Sequence, residues 1–280
     1  MRGFNKYTPK SIVTSDGVTL YYEVPKEKSI KKSLIFLHGL GGDTTAWDVE
    51  RELLDKQGYA SVGIDLRGHG LSQRPHNEGD YALERFAKDI AEIIQHEGIT
   101  RPILIGHCFG GMVSLVLENI QPQISEGMVL IDTSYRLPHF SDFLVSSPLL
   151  NKVVNLLAKN ISDIHIGKHN DYDQYIGTSD YNLHRLISDL AHTSLRSYLL
   201  ICENLTKYNA IDILKAIKIP TFIIEGTEDS VFPPDVAQSL HERIKKSQLE
   251  MVKGANHILV ISNPKEIVEE ILPFLKKIEY

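Results

Sequence analysis

Gly106-His107-Cys108-Phe109-Gly110-Gly111 follows the apolar run Pro102–Ile105 and opens a stretch in which Met112, Leu115 and Val116 recur at helical spacing. A strand that turns sharply into a helix presents the turn residue at its C-terminal end. Small residues two before and two after that position are needed because the turn is tight and its backbone strained. The helix N-terminus then directs N–H groups and a positive dipole end at any negative charge that develops there. Cys108 occupies the apex, so the stretch reads as a nucleophile on an elbow, with a thiol where such a turn usually carries a hydroxyl.

Outward from the elbow, Ser33–Leu37, Ala60–Ile64, Gly127–Ile131 and Thr221–Ile224 are short, nearly unalternated apolar runs. Such runs suit parallel strands buried on both faces. Ser11–Thr14 and Val18–Val24 flank Ser15-Asp16-Gly17 and read as a hairpin. Leu83, Phe86, Ile90, Ile93 and Ile94 mark one helical face, and Ile267, Ile271, Leu272 and Leu275 mark another. Before the second, Asn263-Pro264 reads as an N-cap followed by proline at the first helical position. Strand–helix alternation of this kind predicts an α/β fold: a doubly wound, mostly parallel sheet covered on both sides.

The rhythm breaks over 135–210, where Leu149–Leu157, Leu183–Leu190 and Leu195–Leu205 carry helical patterns without a strand pair. The predicted division is a core of residues 1–134 and 211–280, with a helical cap inserted at 135–210. Composition agrees with one globular catalytic-size domain. Of 280 residues, 42% are hydrophobic and 24% charged, which excludes a disordered or fibrous chain. A net charge of −6 leaves no basic surplus for neutralising nucleic-acid phosphates. Two cysteines are too few for a disulfide framework, Met1–Lys10 lacks a signal-peptide apolar run, and no stretch reaches membrane-span length. These features predict a cytoplasmic protein.

A nucleophile needs a base, and the base an orienting group. Gly254-Ala255-Asn256-His257 follows the strand-like Leu249–Val252, and Gly226-Thr227-Glu228-Asp229 follows the run Thr221–Ile224. Both sit past strand ends, where open α/β sheets bind ligands. The order Cys108, Asp229, His257 makes these the candidate catalytic residues, with Asp132 the competing acid. His38-Gly39-Leu40-Gly41-Gly42 is a glycine-rich turn whose Leu40 N–H, with that of Phe109, can form an oxyanion hole. His38 itself reads as a loop former. His165, His169, Asp171 and Asp173 invite a metal, but Gly167 interrupts them and the chemistry needs neither metal nor cofactor. Cys202 reads as a structural thiol, and Tyr172, Tyr175, Tyr181, His184 and His192 as packing or pocket-lining residues.

Taken together, His38-Gly39-Leu40-Gly41, Asp65-Leu66-Arg67-Gly68-His69-Gly70-Leu71-Ser72, the Cys108 elbow, Asp229 and His257 resemble the α/β-hydrolase superfamily over nearly the whole chain. The resemblance implies that 135–210 caps the active site and that Asp65–Ser72 supports the core without reacting. An Asp at the apex would have pointed to dehalogenases or epoxide hydrolases. The Cys looks like the nucleophile of dienelactone hydrolases and of polyhydroxyalkanoate synthases, which are usually longer chains. The expectation is a hydrolase of small-molecule carboxylic esters or lactones working through an acyl-cysteine. The alternatives are a thioesterase or acyltransferase with the same residues, or a non-catalytic ligand-binding protein on this scaffold.

Overall fold

The computed structural model describes residues 6–27, 29–30, 32–137 and 160–278. The predicted helical pattern at Leu149–Leu157 lies outside them. Eight strands form one sheet in the order β1-β2-β4-β3-β5-β6-β7-β8. They are β1 Tyr7–Val13, β2 Thr19–Pro25, β3 Leu34–Leu37, β4 Ser61–Ile64, β5 Ile103–His107, β6 Gly127–Ile131, β7 Thr221–Gly226 and β8 Ser247–Val252. β1 and β2 form an antiparallel hairpin that joins β4 antiparallel, and β4-β3-β5-β6-β7-β8 run parallel. β1 begins four residues before the predicted start, because this edge strand is half exposed and carries no apolar signal.

Each central strand sends alternate residues to two apolar layers. Ile35 and Leu37 of β3, Leu104 of β5 and Leu130 of β6 meet α2 (Leu83–His96) and α3 (Phe109–Ile120) on one face. Phe36, Ile103, Ile105, Val129 and Ile131 meet α6 (Pro264–Lys277) on the other, and α1 (Asp48–Lys56) adds Leu54 to that layer. Burial on both faces explains the unalternated runs. In α6 the buried stripe is Ile267, Val268, Ile271, Phe274 and Leu275, with Leu272 only partly covered. Asn263 holds the N-cap position but makes no side-chain cap bond; Pro264 supplies the helix start by its fixed φ.

Chain order fixes where the sheet can act. β3 leads outward to β4, and the chain then crosses back to β5 on the other side of β3. Between β3 and β5 the connections therefore diverge, leaving a crevice at their C-terminal ends, where Leu37 pairs with Gly106. The apex of the elbow lies two residues beyond that pair.

The segment between β6 and β7 leaves and rejoins the core at one point, where the Ala210 N–H donates to Tyr135 O (2.7 Å). Its described part includes α4 (Leu183–Thr193) and α5 (Leu195–Thr206), near the predicted helical spans. Two buried ties bind it to the Asp65–Ser72 region. Arg74 donates to the carbonyls of His192, Thr193, Gly70 and Ser72. His169 Nε2 meets Asp65 Oδ2 at 2.7 Å, and Asp65 also accepts the N–H groups of Thr44 and Leu71 at 2.8 Å.

Burial alone would lower the His169 pKa, but the Asp65 carboxylate outweighs it and holds the imidazolium to about 9. A folded-state pKa raised from about 6.5 stabilises fully below 6.5 and ceases to do so as pH rises through 9. At about 1.36 kcal/mol per unit, the displacement corresponds to about 3 kcal/mol. His169→Gln should therefore lower unfolding free energy by about that amount at pH 6, with the gap closing toward pH 9.5. Urea melts of both proteins across this range test it. A gap independent of pH would show that the ion pair carries no net stability.

Candidate active site

Cys108 sits between β5 and α3 with φ 50° and ψ −113°, a conformation that L-residues rarely adopt. The surroundings hold it there by main-chain bonds. Its N–H donates to Ile131 O (3.0 Å), and its carbonyl accepts from Gly111 N (3.1 Å), Met112 N (3.2 Å) and Thr133 Oγ1 (2.6 Å). A Cβ on Gly110 would collide with the Leu37 carbonyl, so the small residue after the apex lets α3 pass against β3. Phe109 turns its ring into the core against Phe86 (4.9 Å between centroids). Its N–H is in the first turn of α3, outside the helical ladder.

The turn after β3 closes on the elbow from the other side of the crevice. His38 Nδ1–H donates to Gly39 O (2.8 Å) and its Nε2 accepts from Leu66 N (3.1 Å), so this ring ties two loops together. Burial lowers its pKa. Gly41 has φ 83°, and a Cβ there would lie 2.8 Å from Asp189 Cβ on α4. Leu40, Cys108 and His257 line one cavity of about 60 Å³, which α4 covers with Arg185 and Asp189.

His257 lies past the end of β8 and Asp229 past the end of β7. His257 Nδ1 meets Asp229 Oδ2 at 2.7 Å, while Asp229 Oδ1 accepts from Val231 N (2.7 Å) and Phe232 N (2.8 Å). Burial would raise the Asp229 pKa, but the His257 imidazole and those two N–H groups outweigh it and leave the carboxyl below the usual carboxylate range. Burial would likewise discharge His257. The neighbouring Cys108 and the Asp229 carboxylate together raise the imidazole well above its ordinary value. Cys108 and His257 thus border one cavity, with Asp229 bonded to His257 from behind.

Asp132 does not occupy the position beside His257 Nδ1. Its Oδ1 accepts from Gly226 N (3.0 Å), and its Oδ2 lies 3.9 Å from His107 Nε2. Full burial raises it well above the carboxylate range. Glu225, inside β7, is buried with it; burial and the neighbouring Asp132 and Asp229 charges raise it to about 11. Sequence reasoning missed Glu225 because a charged residue in a strand reads as surface.

His107, the variable residue of the elbow, was missed too. Burial pushes its pKa down to about 3, so it is neutral and donates Nε2–H to the His257 carbonyl (2.8 Å). No spacing rule announces that contact.

The residues considered for a metal do not converge. His165 Nδ1 lies 3.2 Å from Asp163 O, Asp171 accepts from Asp173 N, and His169 is committed to Asp65. Desolvation pushes the Cys202 thiol on α5 up to about 12, and the neighbouring Cys108 adds to it. Of the residues read as packing or pocket-lining, Tyr172 borders the Cys108 cavity and Tyr175 is buried against His184. Tyr181 does neither. It is 66% exposed, its ring held out on the surface by a bond from its hydroxyl to Ser230 O (3.1 Å).

Residues 32–264 match the profile of the alpha/beta hydrolase fold, and the chain belongs to that family. It is a hydrolase enzyme. It is 25% identical to proline iminopeptidase of Lactobacillus helveticus, over 90% of this chain and 92% of that protein. It is 24% identical to 3-oxoadipate enol-lactonase 1 of Acinetobacter baylyi, over 96% and 97%. Among solved structures, an esterase from Thermogutta terrifontis shares the fold at a TM-score of 0.75 and 21% identity, covering 98% of this chain and 100% of that one. No helix among the described residues is long and apolar enough to cross a membrane.

Proposed function

We propose that the enzyme hydrolyses a carboxylic ester or lactone through a covalent acyl-cysteine, with residues 135–210 acting as a cap. The observation that carries the reading is that Cys108 and His257 border one cavity at the crevice between β3 and β5, with His257 bonded to Asp229. Cys108 Sγ gives its proton to His257 Nε2 and bonds to the acyl carbon, whose carbonyl pair moves onto oxygen. The N–H groups of Leu40 and Phe109 receive that oxyanion. Collapse breaks the bond to the leaving oxygen, which takes the proton from Nε2. Water then gives a proton to Nε2 as it attacks the thioester carbon. The sulfur leaves and regains the proton, releasing the acid. Asp229 accepts from Nδ1–H throughout, fixing the ring and balancing its charge.

The relatives supply first substrates. An enol lactone suits the name of the Acinetobacter relative, and a proline amide that of the Lactobacillus one. A panel of esters, lactones, thioesters and the proline amide, with intact-mass detection of acyl adducts, tests the reading. An adduct on Cys108 followed by release of free acid supports it. Transfer to an added alcohol or thiol in preference to water would make the protein an acyltransferase. Binding with no adduct and no turnover would leave only a ligand-binding scaffold.

The cavity at Cys108 is too small for most such substrates, since ligand sites usually span about 300–1,000 Å³. A groove of about 390 Å³ adjoins it, and Ala46, Tyr172, Val260 and Ile261 border both spaces. A larger depression, of about 810 Å³, lies at the opposite ends of the strands, beside Arg101, Pro220 and Ser247, away from this chemistry. Tyr172, 5% exposed, is therefore the cap residue that limits chain length. Tyr172→Ala should raise kcat/KM for an octanoyl ester relative to an acetyl ester by about tenfold, the value of roughly two buried methylenes. Alkylation of Cys108 by iodoacetamide should change far less. Equal changes in both measurements would remove Tyr172 from the specificity role.

A further inference from the structure

Beyond the ends of β7 and β8 the acid and base loops share few main-chain bonds. Thr227 N–H donates to Val252 O (3.1 Å) and Glu228 N–H to Ala255 O (2.8 Å), and Asp229 and His257 both lie beyond that last bond. Past this point the loops meet directly at the Asp229–His257 contact and where the Phe232 ring meets His257 edge-on (5.3 Å between centroids), and the segment between β6 and β7 adds a bridge between them. Asp180 is 5% exposed. Its Oδ1 accepts from the His257 backbone N–H (2.9 Å). Its Oδ2 accepts from the Ser230 N–H (3.0 Å) and Ser230 Oγ (2.5 Å). One carboxylate therefore grips the residue after the acid and the main chain of the base.

Neighbouring contacts strengthen the grip. Tyr181 OH donates to Ser230 O (3.1 Å), and Asn256 Nδ2 donates to Thr178 O (2.8 Å). Arg185 donates to the Asp180 carbonyl, anchoring the strap to α4. His257 is thus held at both main-chain ends, its N–H by Asp180 and its carbonyl by His107 Nε2 (2.8 Å).

We propose that Asp180 is a positioning residue: the Thr178–Tyr181 strap sets the relative placement of Asp229 and His257, so the pair is assembled only while this edge of the cap is seated. The proposal rests on the catalytic reading of His257 and Asp229. Three donors converge on Asp180, so an amide at this position cannot accept from all of them without turning its NH₂ toward an N–H. Asp180→Asn keeps the volume and breaks this match. The expected result is a fall in kcat of about ten- to a hundredfold, the range a shift of an ångström in a reacting group produces. KM should stay within about twofold, because Asp180 does not line the Cys108 cavity.

A merely structural tie predicts the reverse: a lower melting temperature, a raised KM, and kcat retained at saturation. Alkylation of Cys108 by iodoacetamide supplies the second readout. Asp180→Asn should slow it in the native background and add nothing in His257→Ala, since the effect passes through the imidazole. Unchanged kcat, or additive losses in the double variant, would overturn the proposal. Should Asp180→Asn fail to fold, Ser230→Ala removes only the Oγ bond and should lower kcat about threefold at constant KM; no loss there would also overturn it. If His257→Ala itself leaves turnover and alkylation intact, the catalytic reading fails, independently of Asp180.

Discussion

Cys108→Ala abolishes turnover, by about 10³-fold or more, and leaves the fold in place. The thiol is the group that bonds the acyl carbon in the proposed mechanism, whereas the main-chain bonds of residue 108 do not involve the side chain. Alanine meets the same strain at φ 50° as cysteine does, so the elbow keeps its shape. His257→Ala has a comparable effect, because nucleophile and base act as a unit and removing either removes both. Asp229→Asn costs less: the amide still accepts from Val231 and Phe232 but no longer balances the imidazolium.

Steady-state rates with an activated ester, paired with thermal melts, measure all three variants. Cys108→Ala retaining more than a few per cent of activity would refute the mechanism. Asp132→Asn costing more than Asp229→Asn would transfer the acid role, against the upward shift that burial imposes on the Asp132 carboxyl.

How much of this was legible follows from what local patterns encode. Apolar runs and helical stripes report burial of apolar side chains, so the parallel strands and the α2 face stand out. Cys108, His257 and Asp229 were legible because each follows such a run, and strand C-termini gather at one edge of a parallel sheet. What stayed hidden is polar burial created by tertiary pairing. Glu225 is a neutral acid inside a strand, His107 is a neutral donor, and Asp180 finds its partners 50 and 77 residues away. None has a periodicity, because each owes its place to a partner on another element. Asn263 shows the opposite failure, for its residue type suits a cap that its side chain does not make.

Cysteine at the apex should also set which substrates the enzyme turns over. A thiolate is a stronger nucleophile than a hydroxyl at neutral pH, and in the proposed mechanism His257 takes the proton that generates it. It is also a better leaving group than an alkoxide. A tetrahedral intermediate formed from an ethyl ester therefore tends to expel sulfur and revert, because the more weakly basic group departs faster. Aryl esters, enol lactones and thioesters carry leaving groups that compete with sulfur, so they go forward. Serine at 108 removes that bias, since the departing alkoxide and the enzyme's own oxygen are then alike. The ratio of kcat/KM for a phenyl ester to that for its ethyl analogue should be high in the native enzyme. In Cys108→Ser it should fall by about tenfold or more, which needs only 1.4 kcal/mol of altered partitioning. Both ratios come from one assay of released acid, with the acyl group held constant. A ratio that does not fall in the serine form refutes the leaving-group argument, whatever the absolute rates, because the two enzymes would then partition the same intermediate alike.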